Sequence, residues 1–281
     1  MKNYIELLKD IKENGVLKES RAGDTLSVFG RQLRWDMSDG FPLMTCRPIY
    51  FKIAFEEMKF FLSGETNTKI LEDKGITIWK GNTTREFLDN KGLNHLPEGD
   101  MGKGYGWQMR NFGGTTKTNG YDQIKNLIFN LKNNPDSRRH VVIHYNPLQE
   151  DEMALPPCHM FQQYRVTNGK LSLLVYLRSW DTYHGAPYNI SGYGFVLQAF
   201  SKLLGYEVGE LIIQSGDTHI YLPQMDNVGT MIERYEERKL PTLNINRELN
   251  SLNDILNLEL SDVEIIGYNP QEKLPKVPMA V

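Results

Sequence analysis

One cysteine in this chain sits in a setting that suits nucleophilic chemistry. Pro156 and Pro157 lead directly into Cys158, with His159 beside it. The two prolines fix φ and remove two amide donors, so the chain must enter Cys158 extended rather than helical. The apolar runs at residues 160–166 and 171–177 flank Asn168-Gly169, a dipeptide that favours a tight hairpin. Cys158 is therefore expected where a loop becomes a strand, held rigidly yet facing a cavity. A lone cysteine of this kind is either a small buried hydrophobe or a nucleophile, and the second role needs cations that favour the thiolate. Glu57 is the second candidate, set among Phe55, Met58, Phe60 and Phe61 at helical spacing. Such a carboxyl either escapes to solvent at the polar edge of its helix or stays inside. Held inside, it titrates nearer neutrality and becomes a proton donor.

Pro-Pro-Cys-His with a trailing glutamine-aromatic pair, preceded by Arg138-Arg139 at the start of a strand-like segment, resembles the signature of the thymidylate synthase family, which includes deoxypyrimidine-monophosphate hydroxymethylases. The resemblance runs from Arg21 to the terminal Met279-Ala280-Val281, with several separate motifs in the family's order. It implies an α+β fold in which residues 1–281 form one catalytic domain. A large mixed β-sheet would form a homodimer interface, with helices outside. It also implies a reaction between dUMP and 5,10-methylenetetrahydrofolate, with no metal.

The resemblance assigns roles residue by residue. Cys158 is the nucleophile, Glu57 (rather than Glu56) the general acid, Tyr105 a helper in removing the proton on carbon 5, and His159 an orienter of water. Asp181 counts among the catalytic residues and meets the pterin. Arg21, Arg178 and Ser179 would hold the phosphate, joined by Arg138 and Arg139 from the other subunit. His219 and Tyr221 would bond the sugar's 3′-hydroxyl. Asn189 would read the base: its amide can accept from the ring N–H of uracil and donate to the neighbouring carbonyl, which favours dUMP over dCMP. Arg47, Ile78, Trp79, Gly185, Tyr188 and the carboxylate of Val281 would serve the folate. His184, Leu177, Pro223-Gln224 and Lys103-Gly104 depart from the family's usual residues. Those departures keep a dUMP hydroxymethylase as the alternative, in which water rather than hydride completes the reaction.

The rest of the chain must position these groups. At 281 residues with 40% hydrophobic content there is enough chain for a substantial core, and a net charge of −3 gives no broad basic surface for DNA. Two cysteines do not make a disulfide framework, and no stretch approaches twenty apolar residues, so a cytoplasmic protein with no membrane span is expected. Apolar spacing predicts helices at residues 4–12, 52–62, 123–132 and 190–204. Strands are expected around Gly30, at residues 140–145, and at 210–214, the last ending in a tight polar turn at 214–217. The glycine-dense stretch 99–114 reads as a loop, and lacks the Gly-Lys-Ser/Thr ending of a phosphate-binding P-loop. The proline-bearing tail reads as a mobile segment that the resemblance makes a lid.

Overall fold

A computed structural model describes every residue except Arg21, Thr118, Ala280 and Val281. In chain order the elements are α1 (Lys2–Asn14), β1 (Val16–Lys18), β2 (Thr25–Asp36), α2 (Phe51–Ser63), α3 (Lys69–Glu72), α4 (Arg85–Asn90) and α5 (Tyr105–Asn111). There follow α6 (Gln123–Asn133), β3 (Val141–Ile143), β4 (His159–Thr167), β5 (Lys170–Asp181), α7 (Gly185–Leu204) and β6 (Glu207–Tyr221). The chain closes with α8 (Met225–Glu233), β7 (Thr242–Ile245), α9 (Leu252–Leu256) and β8 (Val263–Ile266).

Asn168-Gly169 makes the expected hairpin between β4 and β5. Both residues have positive φ (51° and 74°), the arrangement whose twist matches two antiparallel strands. The main sheet has strand order β1-β2-β6-β5-β4-β3. Every pairing is antiparallel except β5 with β6, and α7 supplies the crossover between those two strands. This is a mixed sheet with helices, an α+β arrangement. A small β7–β8 ribbon stands apart from it.

α7 lies at the centre of the core, which is why it is apolar nearly all round. Phe195 on α7 packs edge-on against Phe55 of α2, ring centroids 4.9 Å apart, and both rings are fully buried. Truncating either ring to alanine would cost about 3–5 kcal/mol. Along β5 the side chains alternate: Leu171, Leu173, Val175 and Leu177 are buried, while Ser172, Leu174 and Tyr176 are half-exposed. On β3 and β4, Val141 and Ile143 are exposed and Phe161 stacks on Tyr176 at 5.8 Å.

Two sequence expectations fail here, each for a physical reason. The stretch 99–114 is not all loop, because residues 105–111 form α5. Its Gly106 allows the helix to press against another backbone, since a Cβ there would stand 2.6 Å from the Glu65 carbonyl oxygen. The polar turn expected at 214–217 does not exist, because β6 runs unbroken through it. Gly216 lets the strand pass under Tyr176, whose hydroxyl would lie 2.9 Å from an added Cβ. α7 also begins earlier than expected: Asp181 Oδ1 accepts the amides of Tyr183 and His184, both at 3.0 Å, and winds the chain into its first turn.

Candidate active site

The ends of β5 and β6, the start of α7, α2, α5 and the Pro156–Cys158 loop enclose a cavity of about 450 Å³. Cys158 immediately precedes β4, as the prolines require, and is half-buried at the cavity wall. Its amide donates to Tyr105 Oη at 2.8 Å, and its carbonyl accepts the Arg178 amide at 2.9 Å. Arg178 also grips the loop from outside. Its Nε donates to the Pro157 carbonyl at 3.0 Å and its Nη2 to the Pro156 carbonyl at 2.9 Å. Burial pushes the Cys158 thiol above its ordinary value, opposed by the Arg178 charge and by a hydrogen bond from Tyr105. The expected arginine thus does favour the thiolate, but within one chain burial outweighs it.

Glu57 does not escape to solvent. It is 6% exposed on α2, and its Oε1 accepts from Trp79 Nε1 at 2.9 Å. Burial raises its pKa to about 7, with the Trp79 hydrogen bond holding it back. Neighbouring Glu56 is committed elsewhere, paired with Lys74 at 2.5 Å and Lys59 at 3.6 Å. Tyr105, the first residue of α5, stacks on Phe61 with centroids 4.6 Å apart and meets the edges of Trp79 and His159. Burial and nearby Cys158 keep its phenol protonated well above the ordinary range.

Beneath the cavity lies a chain of neutral imidazoles. His159 Nδ1 shares a hydrogen bond with Tyr193 Oη at 2.9 Å, and burial lowers its pKa to about 3. His144 is lowered to about 4 by burial. Gln162 Nε2 meets His144 Nε2 at 3.0 Å, so that nitrogen accepts and Nδ1–H donates to the His159 carbonyl at 2.9 Å. Both rings are uncharged at neutral pH and contribute dipoles rather than cations.

The α7 and β6 side of the cavity is equally well ordered by hydrogen bonds. Asn189 on α7 faces the cavity, and its Oδ1 accepts from the indole of Trp180 at 3.1 Å. His219 on β6 shares its Nδ1 proton with Asp217 at 2.9 Å, and Asp217 is held by Ser27 Oγ and Lys18 Nζ, each at 2.9 Å. The His219 ring stands edge-on to Tyr221, centroids 5.1 Å apart, and both residues line the cavity. Ser179, Asp181, Gly185 and Tyr188 line the same space, as do Ile78 and Trp79.

Four assigned arginines behave differently. Arg178 stands at the rim, engaged with the loop as described. Arg138 and Arg139 are exposed before β3 and do not line the cavity. Arg47 also stays off the cavity wall, donating to the Tyr183 carbonyl at 2.6 Å with its guanidinium 4.6 Å over that ring. Arg21 and Val281 lie outside the described residues. Sequence reasoning missed Trp180, Asn82 and Leu155 in the wall, and the Lys18–Asp217 support behind His219. Only strand alternation hinted at Trp180, which sits inward between half-exposed Ser179 and Asp181. Among the described residues no group of three His, Cys, Asp or Glu side chains could hold a metal ion. No helix among them is long and apolar enough to cross a membrane.

The chain is similar to bifunctional dihydrofolate reductase-thymidylate synthases. It is 40% identical to that of Paramecium tetraurelia over 99% of its length and 61% of the relative's. It is 38% identical to those of Daucus carota and Zea mays over 99% of its length, covering 53% and 54% of theirs. It thus spans about half to three-fifths of the length of these relatives. With the thymidylate synthase family model matching residues 2–281, the chain belongs to the thymidylate synthase family.

Proposed function

We propose that this chain is a thymidylate synthase, converting dUMP to dTMP with 5,10-methylenetetrahydrofolate, and that residues 1–281 act as one catalytic domain. The observation that carries the reading is one cavity shared by a half-buried thiol, a carboxyl that is half protonated near neutrality, and a donor–acceptor amide: Cys158, Glu57 and Asn189. A pyrimidine seated with its edge on Asn189 presents carbon 6 to the Cys158 sulfur. Addition of the thiolate there turns an unreactive ring into an enolate nucleophilic at carbon 5. Glu57 donates a proton toward the uracil carbonyl, directly or through water, at the pH where its two forms balance. Tyr105 holds the Cys158 amide and stands where the carbon 5 proton must leave, with neutral His159 beside it to order water. Expulsion of Cys158 at the end restores the ring's double bond and the free thiolate.

The wall toward Tyr188 fits a folate. It offers the flat surfaces of Trp79 and Tyr188, Ile78, a glycine at 185, the Asp181 carboxylate, and His184, whose buried Nε2 has no hydrogen-bond partner among the described residues. When bound, the folate supplies a one-carbon unit and then a hydride, leaving as dihydrofolate. Asp181 and the Trp79 ring orient it, and the tail, whose Met279 reaches the cavity, helps exclude water. Arg47 would meet the folate's acidic end only after leaving Tyr183.

The active form we infer is a homodimer through the open sheet face, where Val141, Ile143, Phe161 and Tyr176 stand uncovered beside Arg138 and Arg139. The partner's Arg138 and Arg139 then supply the cations that burial of Cys158 calls for. Two free thiols fit a reducing cytoplasm. Incubation with dUMP tritiated at carbon 5 tests the reading, followed by mass analysis of the nucleotide. Tritium release with dTMP and dihydrofolate supports it. No release leaves a nucleotide binder, and a product heavier by one oxygen makes the chain a hydroxymethylase instead.

A further inference from the structure

We propose that Trp180 sets the pyrimidine selectivity of the site by holding the Asn189 amide in one of its two orientations; the proposal rests on the dUMP reading above. Trp180 is 1% exposed near the end of β5, in register with Thr218 of β6, and its indole Nε1 lies 3.1 Å from Asn189 Oδ1. An indole N–H can only donate, so it accepts one orientation of the amide, with oxygen toward Trp180.

The consequence lies in the symmetry of the amide. In one orientation it offers N–H to uracil's carbonyl oxygen and a lone pair to the ring N–H. Flipped by 180°, it offers oxygen to the amino group of cytosine and N–H to that base's bare ring nitrogen. An asparagine free to turn reads both bases, and selectivity requires something that forbids the turn. Flipping Asn189 would set Nδ2 against the Trp180 N–H and leave a buried donor without an acceptor. That disfavours the cytosine-reading state by roughly five- to 150-fold. Oδ1 keeps a second lone pair, so holding it does not stop it accepting from uracil.

The four tryptophans of the chain support this division of labour. Trp79 and Trp180 line the cavity, and each donates to a side chain that faces it, Glu57 and Asn189. Trp35 and Trp107 do not line it, and their buried Nε1 atoms have no hydrogen-bond partner among the described residues. Trp180 is a positioning residue, acting on the base through Asn189.

The test measures dUMP and dCMP affinity by calorimetry on the full chain, for the unaltered protein, Trp180→Phe, Asn189→Ala and the double variant. Removing the N–H should lower the dUMP-to-dCMP affinity ratio by about tenfold, with dCMP binding held or strengthened as dUMP binding falls. In the Asn189→Ala background Trp180→Phe should leave the ratio unchanged. Equal weakening of both nucleotides, or an unchanged ratio, would overturn the proposal and leave Trp180 a packing residue. Should Trp180→Phe not fold, β-(3-benzothienyl)alanine at position 180 replaces the N–H with sulfur at constant shape and is read the same way. Absence of any dUMP preference in the unaltered protein would overturn the dUMP reading and this inference together. A preference retained in both proteins overturns the inference alone.

Discussion

The Trp79 indole donates to Glu57 Oε1 at 2.9 Å, and among the described residues it is the one hydrogen bond to this buried carboxyl. One donor is too little to keep the group ionised, so burial dominates and the pKa climbs to about 7. The folded protein therefore binds this proton more tightly than the unfolded chain. The stabilisation is fully present below pH 4.5, the group's ordinary value, and is lost as pH rises through about 7. Glu57→Gln, neutral at every pH, should gain on the parent across that window, by up to about 3 kcal/mol above it. Denaturant unfolding at pH 5 and pH 8 checks this, and a stability difference that does not change with pH would refute it. The same variant should lose about 10²–10⁴-fold in turnover.

Cys158→Ser should abolish tritium release and leave dUMP binding nearly intact. The Tyr105 hydroxyl contacts the backbone amide of residue 158, a contact that serine keeps. Calorimetry with dUMP distinguishes the outcomes, because lost binding would make Cys158 a structural residue.

Asn189→Asp should move preference toward dCMP. One carboxylate oxygen would accept from Trp180 Nε1 and share a proton with the ring nitrogen of cytosine, while the other accepts from that base's amino group, where a uracil carbonyl oxygen would be repelled. Competition between the two nucleotides measures it, and unaltered selectivity would remove Asn189 as the base reader.

Arg138 and Arg139 do not line their own chain's cavity, so the dimer reading makes a mixing prediction. Cys158→Ser chains and Arg139→Ala chains, each inactive alone, should recover about one quarter of the parent's activity when mixed equally and allowed to exchange, since half the dimers then carry one intact site. Failure to recover activity would place those arginines in their own subunit's chemistry or outside it.

What could be read from the chain without coordinates was local. Pro156-Pro157 and Asn168-Gly169 dictate their own backbone, and so the position of Cys158 at a strand's edge followed from a dozen residues. Gly106 and Gly216 misled for the opposite reason: each glycine serves a close approach to a residue distant in sequence, Glu65 or Tyr176, rather than a turn. Spacing could not choose between Glu56 and Glu57, since both are buried. Their difference lies in Lys59 and Lys74, which claim Glu56, and Trp79, which meets Glu57. What Arg47 and Trp180 touch depends on residues distant in sequence, the Tyr183 carbonyl and ring for one and, across the start of α7, Asn189 for the other.

Arg178 ties together two carbonyls of the Pro156–Cys158 loop, and this alters what a charge-preserving swap would mean. Lysine keeps the positive charge but ends in a point-like ammonium on a flexible stem, which cannot bridge both oxygens as the planar fork does. Arg178→Lys would therefore unfasten the splint under the sulfur while leaving the electrostatics nearly intact, so it reports on mechanical support rather than serving as a conservative control.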